Sequence, residues 1–291
     1  MSFAGVTLRF IDEANSVQVL IYRSFALSCV VPLIACWRRK CSLAEFFASL
    51  ASRDWIMGVL MCTAFSFYIY SILNTSVAST LFILAAAPFI AAVLGWLWIG
   101  EKPKFSTWLT MVLALCGVGL MVFDGINTGQ WLGNLFALIA AASFATALVY
   151  VRRTGGEDML GGTFTGGLLA SGVNIILALV LGYSLTVSTN DTIVSLISGT
   201  FTIGIGMALV IWGASYLPAA EVSILTLIES VVGPIWVWLA FNETVSPMLL
   251  IGGATVLFAV AMQAWFSRPR RQASRAFRFG PAGIEARTNK D

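Results

Sequence analysis

Two long stretches of this chain carry no charged residue. One lies between Asp54 and Glu101, and the other between Asp158 and Asp191. Charged residues make up only 11% of the whole chain and hydrophobic residues 58%, whereas about a quarter of the residues in soluble domains are charged. A soluble fold of this size needs charge on its surface, so the pattern favours a protein whose solvent is lipid.

The apolar segments are long enough to cross a bilayer, which takes about 20 residues of helix. Polar or charged breaks separate nine full spans, predicted at 17–37, 55–74, 77–99, 105–123, 131–151, 160–183, 196–217, 219–241 and 246–267. Residues 1–11 are typical of the second half of a further span, which suggests a missing or misplaced start. The predicted fold class is an all-α integral membrane protein with a ten-span plan and a truncated first span.

One sequence pattern occurs twice along the chain. The apolar run from Ala78 to Glu101 recurs from Ala220 to Glu243, 142 residues later. Two copies of a unit with an odd number of spans insert with opposite orientations, which is the inverted-repeat plan of many secondary transporters. We therefore predict a first repeat over 1–124, a second repeat over 131–267 and a basic tail over 268–291.

Basic residues fix the predicted orientation, because cytoplasmic loops carry an excess of Lys and Arg. Lys and Arg occur in the segments 38–53, 102–104, 152–158 and 268–291, and are absent from the loops 124–130, 184–195 and 242–247. The first set and the C-terminus are predicted to be cytoplasmic, in a multi-pass protein of the plasma (inner) membrane. The basic tail favours contact with anionic lipid headgroups. A nucleic-acid partner is not expected, since no stacking aromatic face accompanies these charges.

The chain contains no histidine, and its five cysteines lack the C-x-x-C spacing of metal or redox sites. This removes the commonest metal ligand and the usual proton carrier near neutral pH. We predict no metal and no cofactor, and any proton coupling has to use carboxylates. A phosphate-binding loop is also absent from the sequence, which argues against direct drive by ATP.

The segment from Leu217 to Glu243 (LPAAEVSILTLIESVVGPIWVWLAFNE) resembles the second repeat of EamA-type transporters of the drug/metabolite transporter superfamily. Residues 85–102 are similar to the matching segment of the first repeat, and the resemblance covers nearly the whole chain. It implies two inverted five-helix repeats, cytoplasmic termini and a central cavity that serves small metabolites by alternating access. Ser230 departs from the proline that this family commonly has after the glutamate, so any kink is expected at Gly233-Pro234.

Glu229 and Arg23 are the strongest candidates for substrate or proton binding. Glu229 follows Pro218 by 11 residues, which places it roughly 16 Å into its helix and near the bilayer midplane. It is either a substrate or proton site in the cavity or a packing carboxyl that is kept neutral. Arg23 lies well inside the span predicted at 17–37. It binds an anionic substrate, neutralises Glu229 or extends to the outer headgroups.

Aromatic and structural candidates complete the predicted site. Trp212 and Tyr216 share one helix face, and with Tyr68 they are predicted to line the cavity, packing or lipid contact being the alternative. Trp37, Trp55, Trp108, Trp131 and Trp265 fall at span ends, as an interfacial belt requires. Structural or gating roles are predicted for Glu101, Glu243, Glu221, Pro88 and Pro234, and close helix approach for glycine pairs such as Gly117 and Gly119.

These observations predict a secondary transporter of small metabolites or drugs, working as an exporter by alternating access, with proton coupling as an open alternative. An integral membrane enzyme acting on a lipid-linked substrate is a second alternative. Its usual cluster of His, Asp or Glu at one membrane face is missing from the sequence, so we do not predict an enzyme. A membrane protein that has lost transport is a third alternative, favoured by the short start. The substrate and the oligomeric state are not predicted.

Overall fold

The computed structural model describes residues 3–100, 102–154, 159–206, 209, 219–241 and 245–266, with residues 219–227 described by their backbone alone. This part of the chain is helical and contains no strand. Its helices are α1 Ala4–Arg9, α2 Ser16–Arg39, α3 Leu43–Ala48, α4 Ser52–Asn74, α5 Val77–Leu84, α6 Ala87–Ile99, α7 Phe105–Asn127, α8 Trp131–Arg153, α9 Leu160–Val180, α10 Thr189–Ile197, a π-helix Ser198–Ile205, α11 Ala219–Phe241 and α12 Pro247–Phe266.

Seven of the described segments are long and apolar enough to cross a membrane. They are Ser16–Arg39, Ser52–Asn74, Val77–Ile99, Phe105–Asn127, Trp131–Arg153, Leu160–Leu181 and Pro247–Phe266. Their positions follow the predicted spans, and the all-α integral membrane fold is confirmed. The inverted relation between the two halves remains a prediction.

Two details differ from the prediction. The loop after α2 contains the short helix α3, whose first turn is held by reciprocal hydrogen bonds between Ser42 and Glu45. The span predicted at 196–217 has a helix that begins earlier, at Thr189. Its first turn is capped by Ser188, whose hydroxyl accepts a hydrogen bond from the backbone N–H of Asp191.

Pro88 interrupts the third full span. Helix α5 ends at Leu84, and α6 begins at Ala87 with Pro88 in its first turn. Proline lacks the N–H that would bond the carbonyl of Leu84 four residues earlier, so the helix breaks there. Pro88 thus lies at a turn inside the apolar segment, and its structural or gating role stays a prediction.

Large apolar side chains face outward, and small residues pack inside. Trp37, Phe105 and Val180 are 76%, 85% and 76% exposed, whereas buried positions include many Ala, Ser, Thr and Gly residues. Lipid solvates apolar side chains, and close helix packing needs small residues, so this distribution is typical of a membrane bundle. The five tryptophans predicted for the interfacial belt are all exposed near helix ends.

The loops gather at two ends of the bundle. At one end the Asp124 carboxylate accepts a hydrogen bond from Ser246, and Asp191 contacts residues 12–14. At the opposite end Arg39 lies over the ring of Phe46, which packs against Phe164. The loops predicted to be external thus meet one another, and the basic loops lie at the other end.

Candidate functional site

Arg23 is buried where α2 meets α4 and the π-helix. Its side chain is 2% exposed, and none of its guanidinium nitrogens has a hydrogen-bond partner among the described residues. The guanidinium carbon lies 5.3 Å from the centre of the Tyr68 ring on α4. A cation–π contact of this kind stabilises by about 0.5–2 kcal/mol, whereas a buried charge costs several kcal/mol unless it is paired. Tyr68 alone therefore leaves most of the cost of burying Arg23 uncompensated.

The position of Arg23 separates the alternatives raised by the sequence. Arg23 lies seven residues after Ser16, the first residue of α2, or about 10 Å along the helix. An arginine that extends to the headgroups keeps its charged group in water, but this side chain is enclosed and packs on Tyr68. The guanidinium therefore lies in the interior of the bundle and does not extend to the headgroups.

Glu229 lies at the middle of α11, next to the central residue of that helix, and is partly buried. Its carboxylate is close enough to the Tyr68 hydroxyl for an electrostatic interaction, as is the Arg23 guanidinium. Arg23 and Glu229 do not form a hydrogen bond. Tyr68 is thus within electrostatic range of the cation of one half of the chain and of the carboxylate of the other, and these two groups form no direct ion pair.

The π-helix approaches α2 at the level of Arg23. A Cβ atom added to Gly199 would lie 2.1 Å from the Arg23 carbonyl oxygen and 3.0 Å from the Cβ of Ala26. Only glycine lets the two backbones come this close. Single π-turns inside helices are frequent at functional sites, and this one adjoins the buried arginine. No signal in the sequence distinguished it from an ordinary span.

A second polar group joins α4 to α9 and centres on Asn174, which was not among the residues predicted from the sequence. The Tyr70 hydroxyl donates to Asn174 Oδ1 at 2.7 Å, and the Asn174 amide donates to the carbonyl of Ala170 at 2.7 Å and to Ser66 at 3.5 Å. The Tyr70 ring packs against Phe67 and Phe136. Asn174 is the only carboxamide in the apolar segment 160–183. A single carboxamide in such a segment could have indicated a buried polar contact from the sequence alone.

Asp191 joins two loops at the end of the bundle opposite to the basic loops. Its oxygens accept the backbone N–H groups of Asp12, Glu13 and Ala14 at 3.0, 3.1 and 2.9 Å. Burial alone would raise the pKa of this carboxyl, but the three backbone hydrogen bonds and one with Ser188 outweigh it, so the pKa of Asp191 is below its ordinary value. The ionised carboxylate holds the segment before α2 against the start of α10.

An open depression of about 660 Å³ lies at the same end. It is lined by Arg9, Leu73, Asn74, Thr75, Ser76, Gln130 and Phe241. Beneath it, Asn134 Oδ1 accepts hydrogen bonds from Ser79 at 2.6 Å and from Thr75 at 3.1 Å. This network links α5 to α8, and its member Thr75 lines the depression.

Several predicted residues lie outside the described part of the chain. They are Trp212, Tyr216, Glu101, Glu243 and the tail from residue 268. Glu221 is described only as backbone, in the first turn of α11, and Pro234 lies inside that helix. Of the predicted site, the structure brings together Arg23, Tyr68 and Glu229. Among the described residues, no three His, Cys, Asp or Glu side chains lie close enough together to hold a metal ion.

Comparison with known proteins agrees with this architecture. The profile of the EamA-like transporter family matches residues 1–123 and 131–265. A solved crystal structure has the same fold, with a TM-score of 0.64 at 15% identity over 92% of this chain and 94% of the other.

Two curated relatives match parts of the chain. The uncharacterized transporter YwfM of Bacillus subtilis (strain 168) is 40% identical over 67 residues, which is 23% of each chain. A WAT1-related chloroplastic protein of Arabidopsis thaliana is 28% identical over 194 residues, covering 61% of this chain and 46% of that protein. The matches thus span less than half the length of either relative. Since the family profile covers almost the entire length in two regions, the chain belongs to the EamA-like transporter family and is a multi-pass membrane protein.

Proposed function

We propose that this protein is a secondary transporter that exports small metabolites or drugs across the plasma membrane by alternating access, with protons as the coupling ion. The observation that carries the proposal is the arrangement of Arg23, Tyr68 and Glu229 inside an apolar bundle. Ionisable residues within membrane spans are expensive, and they commonly mark substrate or ion pathways. The proposed partners are a small-molecule substrate and the lipid bilayer, and the substrate is moved without chemical conversion.

Proton coupling is assigned to Glu229. An ionised carboxyl at this depth costs a few kcal/mol, and binding a proton removes that cost. A substrate that interacts better with one protonation state of Glu229 therefore shifts the proton equilibrium, and the proton shifts substrate binding by the same factor. With no histidine in the chain, a carboxylate is the natural carrier.

Alternating access is supported by the links at the end of the bundle that holds Asp191. Helix α2 and the segment before it are tied to residues 184–191 by the Asp191 carboxylate, by Gln18 to the carbonyl of Ser184 at 2.7 Å and by Tyr22 to the carbonyl of Leu185 at 2.6 Å. Hydrogen bonds of this kind exchange readily with water when the helices separate. We propose that these links close the external side and that the pseudo-symmetric repeats, 1–124 and 131–267, rock around the central site.

The test compares wild-type protein with Glu229→Gln, which keeps the side-chain volume and mimics the protonated form. Metabolites that accumulate in the medium of cells producing the wild-type protein identify candidate substrates. Purified protein is then placed in vesicles with an imposed pH gradient, and uptake of those compounds is measured. We expect Glu229→Gln to abolish gradient-driven flux while its yield and its unfolding temperature match the wild type.

Glu13→Gln is the matched control, because Glu13 is exposed and lies in the loop before α2. It should transport at the wild-type rate. Full pH-dependent flux in Glu229→Gln at matched protein levels would remove the proton role of Glu229. If the protein converted a lipid-linked substrate in vesicles and produced no net flux, it would be an enzyme and the proposal of a transporter would be wrong.

A further inference from the structure

We infer that the ligand of this transporter carries a single negatively charged oxyanion group, such as a carboxylate, and that Arg23 binds this group beside the ring of Tyr68. The inference rests on the proposed function and narrows its substrate class. Its basis is a guanidinium that is 2% exposed and has no hydrogen-bond partner among the described residues. A buried charge without hydrogen bonds lowers the stability of the fold. Such destabilising groups are typically found at sites that serve a function.

The geometry leaves the donors of Arg23 available. The guanidinium carbon lies over the Tyr68 ring, and a cation–π contact depends on the charge of the group and not on its N–H donors. The five N–H donors of arginine lie in the plane of the guanidinium and form a fork that matches the two oxygens of an oxyanion. The contact with Tyr68 therefore leaves all the N–H donors of Arg23 without a hydrogen-bond partner among the described residues.

The local charge selects a monoanion. Arg23 is the only basic residue among the buried residues of the described chain, and one positive charge is balanced by one negative charge. A dianionic phosphate would leave a net negative charge in an apolar site, and the nearby Glu229 would add to it when ionised. A carboxylate meets the requirement with the smallest uncompensated charge.

Access to Arg23 requires the surrounding helices to move. Because the side chain is enclosed, a ligand reaches it only when α2, α4 and the π-helix separate. Where the π-helix contacts α2, the backbone of Gly199 lies directly against the backbone of Arg23. Because glycine has no side chain, little side-chain packing has to be disrupted when the two helices separate there. The opening that alternating access requires is thus also the opening that admits the ligand.

The test measures binding to the purified full chain in detergent by its thermal unfolding midpoint. The probes are acetate, phenylacetate and benzoate, each beside its neutral amide, together with phenyl phosphate. We expect at least one carboxylate to raise the midpoint in a saturable way, its amide to have no effect and phenyl phosphate to bind more weakly. In Arg23→Gln the apparent affinity for that carboxylate should fall about tenfold or more, whereas Arg38→Gln, an exposed arginine of the same helix, should bind like the wild type.

A second readout separates a binding role from a structural one. Removal of an uncompensated buried charge should raise the unfolding midpoint of ligand-free Arg23→Gln above that of the wild type. A lower midpoint, equal stabilisation by amides, tighter binding of phenyl phosphate, or the absence of any effect from the carboxylates would each overturn the inference. If the carboxylate bound to Arg23 but no substrate crossed the vesicle membrane, the proposed transport function would be wrong and the inference about Arg23 would stand. The experiments therefore distinguish a failure of the inference from a failure of the proposed function.

Discussion

Asp191 is the only acidic residue that is buried in the described part of the chain. Its carboxylate satisfies three consecutive backbone N–H groups of the segment that precedes α2. Hydrogen bonds to a charged acceptor are stronger than neutral ones, and removal of the acceptor leaves donors that are partly shielded from water. Asp191 therefore contributes to stability through a contact between residues 179 positions apart.

Replacement of Asp191 by asparagine should lower the free energy of unfolding by about 1.5–3 kcal/mol at pH 7, because an amide cannot accept all three hydrogen bonds. The pKa of Asp191 is lowered in the folded protein, so its stabilisation is present above the unfolded pKa, about 3.9, and is lost as pH falls through the folded pKa. Denaturant titrations from pH 7 to pH 3 should show the wild type approaching the variant below about pH 4.

Glu13→Gln serves as the control for that titration, since it keeps the backbone N–H that Asp191 accepts and changes only an exposed side chain. Its stability should equal that of the wild type at pH 7. A constant difference between wild type and Asp191→Asn across the whole pH range would show that the charge of Asp191 does not contribute.

At the scale of helices, close contacts depend on single glycines. Helices α7 and α12 cross where a Cβ on Gly117 would lie 2.6 Å from the carbonyl oxygen of Gly252, whereas a Cβ on Gly119 would meet no atom within 4 Å. Both glycines were predicted to allow close approach, and the prediction is wrong for Gly119. Residues two apart lie on different faces of a helix, so only one of them can face the partner.

The two glycines make a matched pair for substitution. Gly117→Ala should destabilise the protein by about 1–3 kcal/mol, because the added methyl group meets backbone that cannot rotate away. Gly119→Ala should be neutral or should stabilise by about 0.4–1 kcal/mol through the lower entropy of the unfolded chain. Unfolding in denaturant checks both values, and equal losses in the two variants would contradict the assigned crossing.

At the scale of the molecule, the span positions were predictable because apolar length and charged breaks are local properties of the sequence. Arg23 and Glu229 were predictable as candidates because ionisable residues are rare in such spans. Their surroundings were not, because the contacts join distant parts of the chain, as Tyr70 and Asn174 do across 104 residues. The π-helix was also hidden, since its composition is that of any apolar span.

Orientation in the membrane is the last prediction, and it follows from the separation of charge between the two ends of the bundle. Basic loops collect on the cytoplasmic side, so Lys102 and Arg152 should be cytoplasmic and Asn127 and Asn190 external; all four are exposed. After replacement of the five native cysteines, single cysteines at these positions can be treated with an impermeant maleimide on intact cells. The Asn127 and Asn190 sites should react at once, and the Lys102 and Arg152 sites only after the membrane is permeabilised. Reaction of the Lys102 site in intact cells would overturn the assigned orientation, and with it the external position of the links made by Asp191.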